Sequence, residues 1–199
     1  MEPTQAGGVW SEQPEGSPGA FECAIRNGRL ADQIVGSRAL NGSAALVSAL
    51  LDLGDEPPRP RGERLREAGR RLANQVFQRL AHQLQSEWQC DDVATLPWEQ
   101  FALLISQASE RLGFGPLDFR VDEAAGIVHV VAWSSPFPEL LDGSQPACAL
   151  LEAFAATLIE AVGGGTLTSM ESACRAAGAT ACQFQLGSEQ ALRQFLSNR

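Results

Sequence analysis

Leu117-Asp-Phe-Arg-Val-Asp-Glu-Ala-Ala-Gly-Ile-Val-His-Val-Val-Ala-Trp133 is the stretch that decides the fold class. Its flanks, Leu117–Val121 and Ile127–Trp133, are rich in β-branched and aromatic residues, and the turn-rich Asp122–Gly126 separates them, so the segment predicts a β-hairpin. Two strands joined this tightly run antiparallel. Upstream, Leu65, Ala68, Leu72, Val76, Leu80 and Leu84 share one face of a helix expected from Glu63 to about Trp88. Leu96-Pro97-Trp98-Glu99 opens a further helix through Phe101, Leu104, Ile105 and Leu112, which Gly113-Phe-Gly115 stops. Downstream, Cys148–Val162 repeats apolar residues at three and four and ends at Gly163-Gly-Gly165. Thr166–Ser172 and Cys182–Leu186 are candidate strands of a second hairpin, and Glu189–Leu196 a closing helix. Helices first, then hairpin, helix and hairpin, is an α+β order with an antiparallel sheet packed against several helices, not an alternating βαβ pattern.

The remaining segments set the boundaries. Residues 1–20 are rich in Gly, Pro, Ser and Glu without an apolar period, which predicts a disordered tail ahead of one domain spanning 21–199. Ala44–Leu53 carries Leu46, Leu50 and Leu53 at helical spacing, and three prolines within Asp55–Gly62 break any helix that follows. Ser134–Pro146 is a polar, proline-containing loop.

Charge narrows the function classes. The 199 residues hold 15 basic side chains, every one arginine, against 24 acidic, for a formal net charge of −9. That balance lacks the footprint of a nucleic-acid binder or of a binder of anionic membranes. The arginines of the 63–88 helix make a local basic face, which is read as a solvated surface. No uninterrupted apolar run is long enough for a membrane span, and Met1–Gly8 lacks the pattern of a secretory signal, so a cytoplasmic location is expected. Without lysine no phosphate-binding Gly-Lys-Ser/Thr loop is possible, and there is no dinucleotide fingerprint, nucleophile elbow or His-Glu-x-x-His. The two histidines, His82 and His129, stand alone, and no nucleophile, base and orienting group assemble, so the chain is not expected to be an enzyme.

The cysteines carry the strongest chemical signal. Five of them, an odd number in an expected reducing compartment, argue against a disulfide framework. Cys174 and Cys182 flank a glycine-containing turn, so pairing of the last two strands would set them side by side. Cys148 opens the helix expected against the same sheet, and Glu171 precedes Cys174 by three residues. Three sulfurs and one carboxylate suit a tetrahedral Zn²⁺. The spacing also fits ordinary buried thiols, and it leaves both readings open.

The stretch from Cys148 to Phe184 resembles the 4-vinyl-reductase domain superfamily, in which a cysteine precedes a helix and Glu-x-x-Cys-x-x-x-Gly-x-x-x-Cys-x-Phe follows. Here that signature reads Glu171, Cys174, Gly178, Cys182 and Phe184. Asn27-Gly-Arg-Leu30, Arg38 and Leu65-Arg-Glu-Ala-Gly69-Arg resemble the family's earlier helices, so the likeness covers roughly residues 25–188. Sensory domains of phenol-responsive sigma-54 activators belong to the superfamily. Their zinc site implies Cys148, Glu171, Cys174 and Cys182 as ligands of a structural zinc. The resemblance further implies an α+β domain that buries a small apolar or aromatic ligand between helices and sheet, commonly as a homodimer. Trp98, Phe114, Phe119 and Trp133 are the candidates for lining such a pocket, with core packing as the competing use. Ala179 stands where the family usually has an acidic residue. No DNA-binding or ATPase module lies within these residues, so action through a regulatory or assembly partner is expected. The family name does not establish reductase activity, and no redox-cofactor motif is visible. Leu65–Arg70, Phe114-Gly115 and Leu151-Glu-Ala-Phe154 also resemble the cellulose synthase D subunit, an oligomeric accessory of polymer export. That family lacks the cysteine set, which makes it the alternative reading.

Overall fold

The computed structural model describes residues 24–35, 60–88, 92–136 and 148–198. Among these, five α-helices and four strands follow in the order α1 (Arg29–Val35), α2 (Arg61–Trp88), α3 (Trp98–Arg111), β1 (Leu117–Asp122), β2 (Ile127–Ala132), α4 (Ala149–Gly163), β3 (Thr168–Ala173), β4 (Cys182–Gly187) and α5 (Glu189–Ser197). The expected α+β class is the observed one. The tail at 1–20, the helix expected over Ala44–Leu53, Cys23, Cys90 and most of the Ser134–Pro146 loop lie outside the described residues.

Helix α2 begins just after Pro60, which has no N–H to donate and whose carbonyl accepts from the N–H groups of Glu63 and Arg64. Ala68, Leu72, Val76, Leu80 and Leu84, spaced by four, are all buried and make the apolar stripe that packs on α4. Helix α4 is buried around most of its circumference, from Ala149 to Ala156 and again at Leu158 and Ile159. A helix that apolar belongs in the middle of a domain, and α4 lies against both α2 and β3. At Gly69 the two helices approach so closely that an added Cβ would sit 2.2 Å from the Leu150 carbonyl oxygen. No other residue type fits that crossing.

The sheet is fully antiparallel, in the order β1-β2-β4-β3. The first hairpin turns at Asp122, whose carboxylate accepts from the Ala125 N–H at 3.0 Å, and at Gly126, which has a φ of +64°. The register places Phe119 opposite Val130, Val130 opposite Phe184, and Phe184 opposite Glu171. Those residues therefore share one face, and Phe184 and Val130 are fully buried on it. Across the other face lies α5, where Phe195 meets the His129 ring edge-on and Leu192 is buried.

Most boundaries fall within one or two residues of their expected places, and two of the differences bear on the site. Cys148 is the residue before the first turn of α4, not its first helical residue. Strand β3 starts at Thr168 and not at Thr166, because the Leu167 N–H is taken by the Glu160 carboxylate at 2.6 Å instead of by a neighbouring strand.

Candidate metal centre

Four side chains from four local structures converge at one end of the sheet. Cys148 ends the approach to α4, Glu171 lies in β3, Cys174 leaves β3, and Cys182 is the first residue of β4. Their ligand atoms, three Sγ and a carboxylate oxygen, all lie within 4.8 Å of one another. The pairing of β3 with β4 expected for the second hairpin is the observed one.

The register explains how they meet. Glu171 is opposite Phe184, but Ala173 is opposite Gln183, so a β-bulge falls between Glu171 and Ala173. A bulge adds one residue on one strand and re-aims the side chains beyond it. Here it lets Cys174 leave the ladder at the level of Cys182. The chain then turns through Arg175–Ala177, with the Cys174 carbonyl accepting from the N–H groups of Ala177 and Ala179. Gly178 takes a φ of +90°, which closes the turn. Arg175 fixes this turn from both ends: its N–H points at Cys182 Sγ at 3.5 Å, and its guanidinium donates to the Ser135 carbonyl at 3.0 Å.

The electrostatics are those of a site short of positive charge. The Cys148 and Cys182 sulfurs are 3.1 Å apart. Sharing of one proton between them pushes the Cys148 thiol up, with burial adding to the effect, and holds Cys182 below the usual thiol range. Burial raises the Glu171 carboxyl above the ordinary carboxylate range, partly offset by the thiols of Cys174 and Cys148. Both Glu171 oxygens are buried and, apart from weak contacts with Cys148 and Cys174, have no hydrogen-bond partner. A buried carboxylate in that condition is costly, and a cation among the ligands removes the cost. Tetrahedral Zn²⁺ with Zn–S near ~2.3 Å needs sulfurs roughly 3.8 Å apart. The four donors are already gathered within a span that small adjustments bring to this geometry, and three sulfurs with one oxygen match zinc's donor preference. The residues therefore fit the ion.

The candidate pocket aromatics are not gathered in the same way. Trp98, at the start of α3, meets Phe119 of β1 edge-on at 6.0 Å and Phe101 at 6.2 Å. Phe114 is buried against Phe154 of α4, 5.9 Å between ring centroids. Trp133 is 52% exposed, and its indole N–H donates to Asp118 at 2.7 Å. Two of the four thus form one half-buried pair, one is core, and one is at the surface. Neither histidine joins the metal cluster.

Glu152 is the residue near this site whose role spacing did not reveal. It is 1% exposed, lies one turn along α4 from Cys148, and accepts from Arg66 of α2 at 3.3 Å. The motifs Leu65-Arg-Glu and Leu151-Glu-Ala-Phe154 were both visible in the sequence, but the contact joining them is tertiary.

No family model and no curated protein matches the chain. Among solved structures, it is similar to the phenol-responsive sensory domain of the transcription activator PoxR with phenol, at a TM-score of 0.43 and 16% identity over 87% of this chain and 80% of that one. A likeness of this size assigns neither a ligand nor a site. Among the described residues, no helix is long and apolar enough to cross a membrane.

Proposed function

We propose that this chain is a zinc-stabilised, small-molecule-binding sensory domain that performs no chemistry of its own and acts through partner proteins. The observation that carries the metal half is the buried Glu171 carboxylate, with no hydrogen-bond partner beyond weak contacts with Cys148 and Cys174 and gathered with three thiols within 4.8 Å. Cys148, Glu171, Cys174 and Cys182 would hold the ion. Four protein donors fill a tetrahedron and leave no position for water, the arrangement of a structural and not a catalytic zinc. Bound there, zinc supplies a cross-link: it ties the start of α4 to both strands of the second hairpin. Structural zinc contributes on the order of 10 kcal/mol to small domains that depend on it.

The ligand half rests on the Glu-x-x-Cys-x-x-x-Gly-x-x-x-Cys-x-Phe resemblance and on the half-buried Trp98–Phe119 pair between α3 and β1. An apolar or aromatic molecule suits that pair, because edge-on rings offer a flat face to a third ring. Homodimerisation and a regulatory partner belong to the same proposal. The test uses full-length protein purified without chelator. Non-denaturing mass spectrometry reads metal, carried ligand and oligomer together, and a thermal-shift titration with phenol reads aromatic binding. A raised melting temperature with phenol, reduced in Trp98→Leu, is expected. No carried molecule and no shift with phenol would defeat the ligand half, and absence of zinc would defeat the metal half.

A further inference from the structure

The cluster's surroundings contain charge that ligation alone does not use. Zn²⁺ held by three thiolates and one carboxylate leaves two negative charges in a site whose cysteines are buried. Net buried charge is expensive unless something opposite compensates it. Glu152 makes the problem worse: it is 1% exposed and lies one helical turn from the ligand Cys148, whose carbonyl accepts from the Glu152 N–H at 2.9 Å. Its partner across the helix crossing is Arg66, which donates through Nη2 at 3.3 Å.

The placement of Arg66 is built into the helix crossing. Gly69, one turn further along α2, is where the two backbones touch, against Leu150 and Phe154 of α4. Residues 66 and 69 lie on one face of α2, three apart. Close approach at Gly69 therefore delivers Arg66 onto the first turn of α4, beside Glu152. The Arg66 side chain remains 40% exposed, so one end of the ion pair is at the surface and the other is next to a metal ligand.

We propose that Arg66 is a positioning residue for the metal centre: paired with Glu152, it neutralises the carboxylate one helical turn from Cys148 and so sets how tightly the anionic site retains its metal. The inference rests on the zinc reading above. It makes the α2 surface a place from which metal affinity is tuned, since anything that draws Arg66 away from Glu152 loosens the ion.

The experiment measures Zn²⁺ affinity of the full chain by competition with a chromophoric chelator, with melting temperatures recorded alongside. Arg66→Met is expected to weaken zinc binding by about tenfold, the order of effect of one partly screened charge at this range. Arg66→Lys keeps the charge and stays within about threefold of wild type. The decisive variant is Glu152→Gln, which removes the charge and keeps the shape. Alone it binds zinc at least as tightly as wild type, and in Arg66→Met/Glu152→Gln it restores affinity to within about threefold. A merely structural strut gives the opposite pattern, with Glu152→Gln as damaging as Arg66→Met and no restoration in the pair. That pattern, or an unchanged affinity in Arg66→Met, overturns the proposal while leaving the zinc reading standing. A wild-type chain that binds no zinc overturns both.

Discussion

Replacing Gly69 by alanine tests the packing that places the site, because the expected sign is opposite to the usual one. At an exposed helix position, Gly→Ala stabilises by roughly 1 kcal/mol through helix propensity and reduced freedom of the unfolded chain. At Gly69 the new Cβ would lie 2.2 Å from the Leu150 carbonyl oxygen and 3.1 Å from both the Leu150 carbonyl carbon and the Phe154 nitrogen. The obstacle is backbone on both sides, so no flexible side chain can yield. Relief needs α2 and α4 to part by about 1 Å, and a gap of that size forfeits a quarter to a half of the dispersion contact along the seam. Leu72 and Leu151, both buried, lie in the layer that would loosen. Overpacking of this kind costs about 1–3 kcal/mol, and a backbone obstacle places it at the upper end. After the propensity gain, the net destabilisation is about 2 kcal/mol. For a chain of this size that lowers the melting temperature by roughly 4–8 °C. Gly62→Ala, whose Cβ would meet only the Arg66 guanidinium at 3.6 Å, is the control and leaves the melting temperature unchanged or raises it by about 2–4 °C. Differential scanning calorimetry on both variants decides it. A Gly69→Ala melting temperature equal to or above wild type would refute the close crossing.

Two further predictions follow from the metal centre. In metal-free protein, burial raises the Glu171 carboxyl above its unfolded value of 4.5, so the folded state favours the protonated form. Its contribution to stability is full below pH ~4.5 and is lost as pH rises through the elevated folded value; Glu171→Gln should flatten that slope in urea titrations across pH 4–8, and added zinc should reverse it, because the ion favours the ionised ligand. Gly178→Ala places a side chain at a φ of +90° with open space around it. The strain alone should cost about 1–2 kcal/mol, and because the turn positions Cys174 and Cys182, zinc affinity measured by chelator competition should fall with it; unchanged affinity would show that the turn does not set ligand geometry.

How far the sequence anticipated this molecule depends on whether the signal was local. The hairpin at 117–133 and helix α4 were legible because β-branched alternation and three-four periodicity are properties of consecutive residues. Glu171 and Cys174 were legible as a set because they sit three apart in one strand end. The bulge that brings Cys174 level with Cys182 was not, since nothing in Met170–Ala173 marks an extra residue until the partner strand is in place. The sheet order, with β4 between β2 and β3, was equally hidden: it depends on how α4 crosses the sheet. Trp133, a pocket candidate by resemblance alone, was likewise not placed by any local signal: its indole N–H finds Asp118 and the ring stays exposed. Glu152 and Glu160 both lie on α4. The structure separates them by partner, Glu160 capping the Leu167 N–H and Glu152 buried beneath Arg66.

The central claim is that Cys148, Glu171, Cys174 and Cys182 hold one structural zinc, and its most direct measurement is elemental analysis of the purified full chain paired with a thermal melt before and after chelation. The account predicts one zinc per chain, a melting temperature that falls steeply when the ion is stripped and returns on adding Zn²⁺ alone, and neither zinc nor response in Cys174→Ser. A folded wild-type chain without bound metal, melting at the same temperature with and without chelator, would contradict it.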